Sequence, residues 1–385
     1  MRLPIRFATV SFVLVFTSAS TPGQTGFTPL IDFAPGESYQ GFDGGLYPNA
    51  RNVFLGRHLA DGLDQAGRIR PLDANGRPAP DGKIVLLTVG MSNTRIESSA
   101  FGDRLRSFPD RNPPLVFVNG AQGGQSAARI ADPNAPYWTQ VDKILAQQGV
   151  TPLQVQAVWF KEANARPTEP FPQHAEILRS QFKTIMNIIK SRYPRTAAVY
   201  ASSRIYAGYA TTNLNPEPFA YESGFAVKWL IEDQISGDPL LNYDPRVGPV
   251  NAAWMQWGPY MWADGTNPRS DGLIWARSDF RNDGTHPSSQ GAAKVADMLL
   301  EFFSSAPTTR LWFLRPELQV LLGDLNGDRR LNGADIDPFF LALVDPGAFA
   351  RQYPNIDPVQ AGDINQDGRF DGGDLEVFFR LLAGF

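Results

Sequence analysis

There is no cysteine among the 385 residues, and there are only three histidines, His58, His174 and His286. The first absence excludes a disulfide scaffold, a cysteine nucleophile and a cysteine-ligated structural zinc. The second confines any imidazole chemistry to three positions. Charge of one sign is scarce as well. The 35 Lys and Arg against 39 Asp and Glu leave −4 with no long basic run, so the chain lacks the electrostatic footprint of a nucleic-acid binder. Beyond the N-terminal stretch no run reaches the roughly 18 uninterrupted apolar residues of a bilayer span, and no integral membrane association is expected. What is present, 43% hydrophobic and 19% charged residues, is material for a real core. The length fits one large and one small domain.

Arg2 and Arg6 precede an apolar stretch from Phe7 to Phe16, and a small, polar run from Thr17 to Gly23 comes next. That is the layout of a secretory signal peptide, so residues 1–23 are expected to be a leader and the mature protein to be secreted, to the periplasm or the cell surface and beyond. Residues 24–82 are rich in Gly, Pro, Asp and Asn and read as an irregular lead-in packed on the larger domain. Then the rhythm changes. Ile84–Val89, Leu115–Val118, Val155–Phe160 and Ala197–Ala201 are continuous apolar runs of strand length, as suits strands buried on both faces. Helical patterns separate them at Trp138–Gln148, Gln173–Tyr193 and Tyr221–Ile235, with a closing helix at Ser288–Phe303. The alternation predicts an α/β domain over 83–315, an open parallel sheet flanked by helices.

Within it, Ser92 stands just past the first predicted strand, at the carboxyl end where open α/β sheets place their sites. Asp283-Gly284-Thr285-His286 precedes the closing helix. An aspartate three residues before a histidine on a turn can orient the imidazole through one ring nitrogen, leaving the other to take a proton from a serine. His58 and His174 read as solvated or capping residues. Trp254, Trp257, Trp262 and Trp275 lie just before the His286 loop and are open to two readings, stacking surface for a substrate or buried core.

The order Ser92, Asp283, His286 resembles the SGNH (GDSL-type) hydrolases, a flavodoxin-like three-layer family of serine esterases. Its short blocks are matched by Gly90-Met91-Ser92-Asn93, by Asn119 to Ser126, by Lys161-Glu162-Ala163-Asn164 and by Asp283 to His286. The resemblance implies Ser92 as nucleophile, His286 as base, Asp283 as its orienter, and an oxyanion hole from Ser92, Gly124 and Asn164. No cofactor is implied for the catalysis. Met91 and Glu162 depart from the family pattern, the second standing where glycine is usual. The implied substrate is an ester, first of all an O-acyl group on a carbohydrate. The rival is a non-catalytic secreted glycan-binding or attachment protein on the same fold.

Past Pro316 the composition turns acidic: residues 316–385 hold 12 Asp or Glu against 5 Arg and no Lys, a net of −7 that leaves +3 for the rest. Two segments repeat at an offset of 39 residues, beginning at Gly323-Asp324 and Gly362-Asp363. Read as twelve-residue calcium loops, they offer oxygens from Asp324, Asn326, Asp328, Arg330 (carbonyl), Asn332 and Asp335, and from Asp363, Asn365, Asp367, Arg369 (carbonyl), Asp371 and Asp374. Each runs into a helical face, Ile336, Phe339, Phe340 and Leu343 against Leu375, Phe378, Phe379 and Leu382. From about Leu322 onward the chain resembles the dockerin type I module, a small all-α pair of EF-hand-like units, which implies structural Ca2+ and a cohesin-like protein partner. The sixth loop position calls for a residue tolerant of positive φ; it is Arg329 in the first loop and Gly368 in the second, so the first site is expected to be the weaker.

Overall fold

The computed structural model of the protein describes residues 24–383; the predicted leader lies outside them. In chain order come a small hairpin, β1 (Ser38–Tyr39) with β2 (Phe42–Asp43), then α1 (Arg57–Arg68), β3 (Ile84–Gly90), α2 (Ser92–Ser107), β4 (Leu115–Asn119), α3 (Ala127–Ile130) and α4 (Pro136–Gln147). Next are β5 (Val155–Lys161), α5 (Gln173–Arg192), β6 (Ala198–Ala201), α6 (Phe219–Ile235), β7 (Trp254–Trp257), α7 (Ser289–Ser305) and α8 (Pro307–Phe313). The tail holds α9 (Ile336–Val344), α10 (Pro346–Gln352), α11 (Pro358–Gly362) and α12 (Asp374–Ala383). Among the described residues no helix is long and apolar enough to cross a membrane.

Five strands form one parallel sheet in the order β4-β3-β5-β6-β7. Every residue of β3 and β5 is buried, which is why their sequences are nearly unbroken apolar runs. From β3 the chain steps to β4 on one side, then crosses back to β5 on the other. The point of reversal is therefore the carboxyl ends of β3 and β5, where Gly90 pairs with Lys161 and where ligands of such sheets sit. The helices pack in two groups, α2 with α7 and α5 with α6, as the right-handed rule for crossovers between parallel strands leads one to expect on the two faces of such a sheet.

Three segments differ from the sequence expectation. The lead-in carries the amphipathic helix α1, whose Leu59, Leu63 and Ala66 are buried; its Gly and Asp content masked that spacing. Gly62 lets α1 approach β7, because a Cβ there would overlap the Trp254 ring. The second missed element is α2, whose inward face is polar at Asn93, Thr94, Glu97 and Ser98, so no apolar period announces it. The third is β7, only four residues long.

His58 and His174 are neither solvated nor capping; both are buried. Strand β7 is a sheet edge, and Met255 there has its N–H accepted by Gln234 Oε1 (2.7 Å) while its carbonyl accepts from His58 Nε2 (2.8 Å). A carbonyl only accepts, so His58 is the neutral donor, and burial holds its pKa down at about 4 despite the Met255 bond. His174 pairs with Glu222, which also accepts from the Tyr39 hydroxyl at 2.6 Å and so ties the hairpin to α6. The four tryptophans before the His286 loop are core: Trp254, Trp257, Trp262 and Trp275 are all buried.

Candidate active site

Ser92 is the first residue of α2, so its own N–H is one of the unpartnered donors of a helix N-terminus. The approach is tight, since a Cβ at Gly90 would overlap the Lys161 carbonyl. From the far end of the chain comes the His286 loop. Ser92 Oγ lies 2.8 Å from His286 Nε2, and His286 Nδ1 lies 2.6 Å from Asp283 Oδ2. A carboxylate only accepts, so Nδ1 carries the proton and donates to Asp283, which leaves the Nε2 lone pair facing the serine hydroxyl.

Asp283 is fixed by more than the imidazole. Its Oδ1 accepts the N–H groups of Thr285 and His286, each at 3.0 Å. Burial pushes this carboxyl up, but those amides and the imidazole together bring it down to about 2, so it is ionised at any ordinary pH. Gly284, at φ +61°, has to be glycine, because a Cβ would overlap the Tyr209 carbonyl. Two contacts clamp the loop: the buried Asn93 amide donates to the Thr285 carbonyl (2.9 Å), and Thr211 N–H donates to the Asp283 carbonyl (3.0 Å). Asn93 belongs to the same short block as Ser92, but no local pattern announces a partner so far along the chain.

Ser92, Gly124, Asn164 and His286 line one cleft of about 500 Å³ at the strand ends. Gly124 lies after β4 at φ +73°. Asn164 lies after β5, its Oδ1 accepting from Ala128 N–H (3.0 Å) and its amide donating to Gln181 (2.6 Å), which leaves the second amide N–H.

Beneath the nucleophile lies a buried charged group that sequence reasoning missed. Lys161 Nζ is 2.6 Å from both oxygens of Glu97, with neither side chain exposed. Burial brings the Lys161 ammonium down to about 8 against the pull of Glu97. Glu162 is buried too, and desolvation raises it well above the carboxylate range against the Ala163 N–H and Arg204. The carboxyl of Glu162, standing where the sequence resemblance calls for glycine, is thus pushed toward its neutral form by burial beneath the cleft.

No protein-family model matches the chain, and no curated protein does. Among solved structures it is similar to a provisionally assigned acylhydrolase of Bacteroides fragilis (14% identity, TM-score 0.32, covering 64% of this chain and 94% of that one). It is also similar to the periplasmic domain of a lipopolysaccharide acetyltransferase from Salmonella Paratyphi A (11%, TM-score 0.30, 63% and 94%). A third is a salicylyl-acyltransferase of a tetracycline biosynthetic pathway (13%, TM-score 0.31, 59% and 56%). At such scores these likenesses add nothing to the geometry above.

In the tail the two loops share one hydrogen-bond pattern. Asp324 accepts from Gly327, Asp328 and Arg329 N–H groups, as Asp363 does from Asp367 and Gly368. Asp335 and Asp374, at the loop ends, accept from Leu325, Asn326 and Asn332 and from Ile364, Asn365 and Asp371. Burial raises the carboxyls of Asp324, Asp335 and Asp374. The remaining oxygen residues Asn326, Asp328, Asn332, Asn365, Asp367 and Asp371 lie along the same loops. Among the described residues, no group of three or more His, Cys, Asp or Glu is gathered as a metal site. The donor set, carboxylate, amide and carbonyl oxygen, nevertheless suits a hard cation such as calcium. The loops also exchange their strained positions: φ is positive at Gly327 and Arg329 in the first and at Gln366 and Gly368 in the second. Each loop thus holds one non-glycine left-handed residue, so backbone strain does not rank them.

The two helical faces meet, Phe339 stacking on Phe378 with centroids 4.1 Å apart. Leu59 and Leu63 of α1 belong to the same apolar cluster, so the tail is seated on the lead-in helix. Phe340 and Phe379, expected on the buried face, stand partly exposed side by side.

Proposed function

We propose that the protein is a serine esterase. The observation that carries this reading is the relay from Ser92 through His286 to Asp283 at the reversal point of the sheet. Ser92 Oγ attacks the ester carbonyl while His286 Nε2 takes its proton, and the carbonyl oxygen becomes an oxyanion that the Ser92 and Gly124 N–H groups and the Asn164 amide would receive. The bond to the alcohol then breaks, and the alcohol leaves with the proton from His286. Water, deprotonated by the same nitrogen, releases the acid and returns the proton to Ser92. Asp283 stays ionised throughout and holds the imidazole in the productive tautomer.

The finer parts of the reading are an exported protein and an O-acyl carbohydrate ester as substrate. In the tail, Asp324, Asn326, Asp328, Asn332, Asp335 and the Arg330 carbonyl would hold one calcium ion. Asp363, Asn365, Asp367, Asp371, Asp374 and the Arg369 carbonyl would hold another, with a structural role and a cohesin-like partner. Release of 4-nitrophenolate from 4-nitrophenyl acetate tests the esterase reading. Turnover by the full chain that is lost in Ser92→Ala is the expected result, and equal rates in the two would refute it.

A further inference from the structure

The cleft beside Ser92 is lined by three arginines, Arg129, Arg166 and Arg204, and by no carboxylate, although the chain carries a net charge of −4. Elsewhere arginines find acids: Arg104 pairs with Asp297, Arg269 with Asp271 and Arg315 with Asp110, all within 2.7 Å. None of the three at the cleft has such a partner among the described residues.

Their settings differ in a useful way. Arg204 is buried, its Nε bonded to Asn215 Oδ1 at 3.1 Å and its Nη2 without a partner. Arg129, exposed on α3, donates one Nη1 bond to the carbonyl of Gly124 (2.7 Å), which sets its guanidinium beside the oxyanion loop. Arg166 is exposed, and its backbone is held at φ +57° with its N–H on the Leu214 carbonyl at 2.7 Å. No described residue hydrogen-bonds or ion-pairs with its guanidinium. Arg166 thus stands at the cleft rim in a backbone region uncommon for a non-glycine residue, with its guanidinium free to meet a ligand.

The cleft does not stop at Arg166. Ser126, Asn164, Arg166 and Asn215 also border an adjoining hollow of about 310 Å³ that runs past Phe219 and Ile177, with Glu169 on its wall. Arg166 therefore stands on the ridge between the ester site and a second compartment. A cleft of one sign concentrates ions of the other, and a guanidinium receives a carboxylate or sulfate through paired N–H bonds.

We propose that the substrate is an ester of an acidic saccharide, with a carboxylate or sulfate beyond the scissile bond that Arg166 and Arg129 receive. This deepens the esterase reading and rests on it. The test compares kcat/KM of the full chain on O-acetylated uronate oligosaccharides, their sulfated counterparts and neutral ones, with 4-nitrophenyl acetate as the uncharged reference. The expected result is a preference of about tenfold or more for an acidic series, expressed in KM, and declining as salt rises to about 0.5 M. The carboxylated and sulfated arms tell which anion is received. Arg166→Gln and Arg129→Gln should each lower that preference several-fold through KM rather than kcat, and Arg166→Lys should restore most of it. Equal kcat/KM on acidic and neutral series, or a preference that survives both glutamine variants, would overturn the inference while leaving the esterase standing. If no ester is turned over, calorimetric titration of Ser92→Ala with the acidic oligosaccharides decides. Binding that weakens in the Ser92→Ala, Arg166→Gln double variant supports the anion site, and no binding overturns it.

Discussion

Buried carboxylates are answered in opposite ways in the two regions of this molecule. Around Ser92 each acid has a proton or a cation close by. Asp283 is brought down to about 2 by two amides and the His286 ring, Glu97 is gripped by Lys161, and Glu162, raised by desolvation, has the Ala163 N–H and the Arg204 charge set against that rise. In the tail, Asp324, Asp335 and Asp374 are raised by burial and have only backbone N–H groups against them, with acidic neighbours adding repulsion. In the first region the buried acids are answered by the protein's own side chains and amides. The second is short of positive charge, and a divalent cation is the component that would complete it.

That contrast can be broken from the body first, where the effects are largest. Ser92→Ala should cost on the order of 10⁴-fold or more in kcat, read on a short ester, with the melting temperature retained. Asp283→Asn keeps the shape but allows the wrong imidazole tautomer, and kcat should fall by roughly 10³–10⁴-fold. Lys161→Met strands Glu97 without its cation and should destabilise the body by about 3–5 kcal/mol in chemical denaturation. Adding Glu97→Leu should recover much of that loss; a double variant as unstable as the single one would mean that the pair is not self-compensating.

The tail should respond to pH and metal in the opposite sense. A carboxyl whose folded pKa is raised binds its proton more readily in the folded state, so its contribution to stability falls as pH rises through the range just above 3.8. Asp283, with its folded value lowered to about 2, contributes stability that is present above 3.8 and lost only as pH falls toward 2. Hydrogen exchange at the Leu325 and Ile364 amides, which donate to Asp335 and Asp374, reports the tail directly. At neutral pH these amides should be less protected than below that range, at about pH 3.5, and calcium should restore them while leaving β3 and β5 unchanged. Protection that ignores both pH and calcium would remove the contrast. The smallest effect is in the backbone: Arg329→Gly and Gln366→Gly should each stabilise the metal-free tail by about 0.5–1 kcal/mol, because each relieves one left-handed residue.

Much of this was legible from sequence, for identifiable reasons. The strand predicted at Ile84–Val89 is found at Ile84–Gly90, because a strand buried on both faces is written as an apolar run. Candidates for the relay were few, since only three histidines exist, and one alone stands three residues after an aspartate. What stayed hidden depends on meetings across the fold. The inward face of α2 is polar because it meets Lys161 and the His286 loop. Arg129, Arg166 and Arg204 lie after three different strands and come together only at the sheet's carboxyl edge. His58 donates to a carbonyl of the edge strand almost 200 residues away, a partnership no local pattern could signal.

The central claim is that Ser92 is an activated nucleophile, and covalent labelling tests it most directly. Full-length protein treated with a fluorophosphonate probe and digested for mass spectrometry should carry a single label on Ser92. The label should be absent in Ser92→Ala and strongly reduced in His286→Ala. No label on the folded protein, or a label that settles on another serine such as Ser126, would contradict the account.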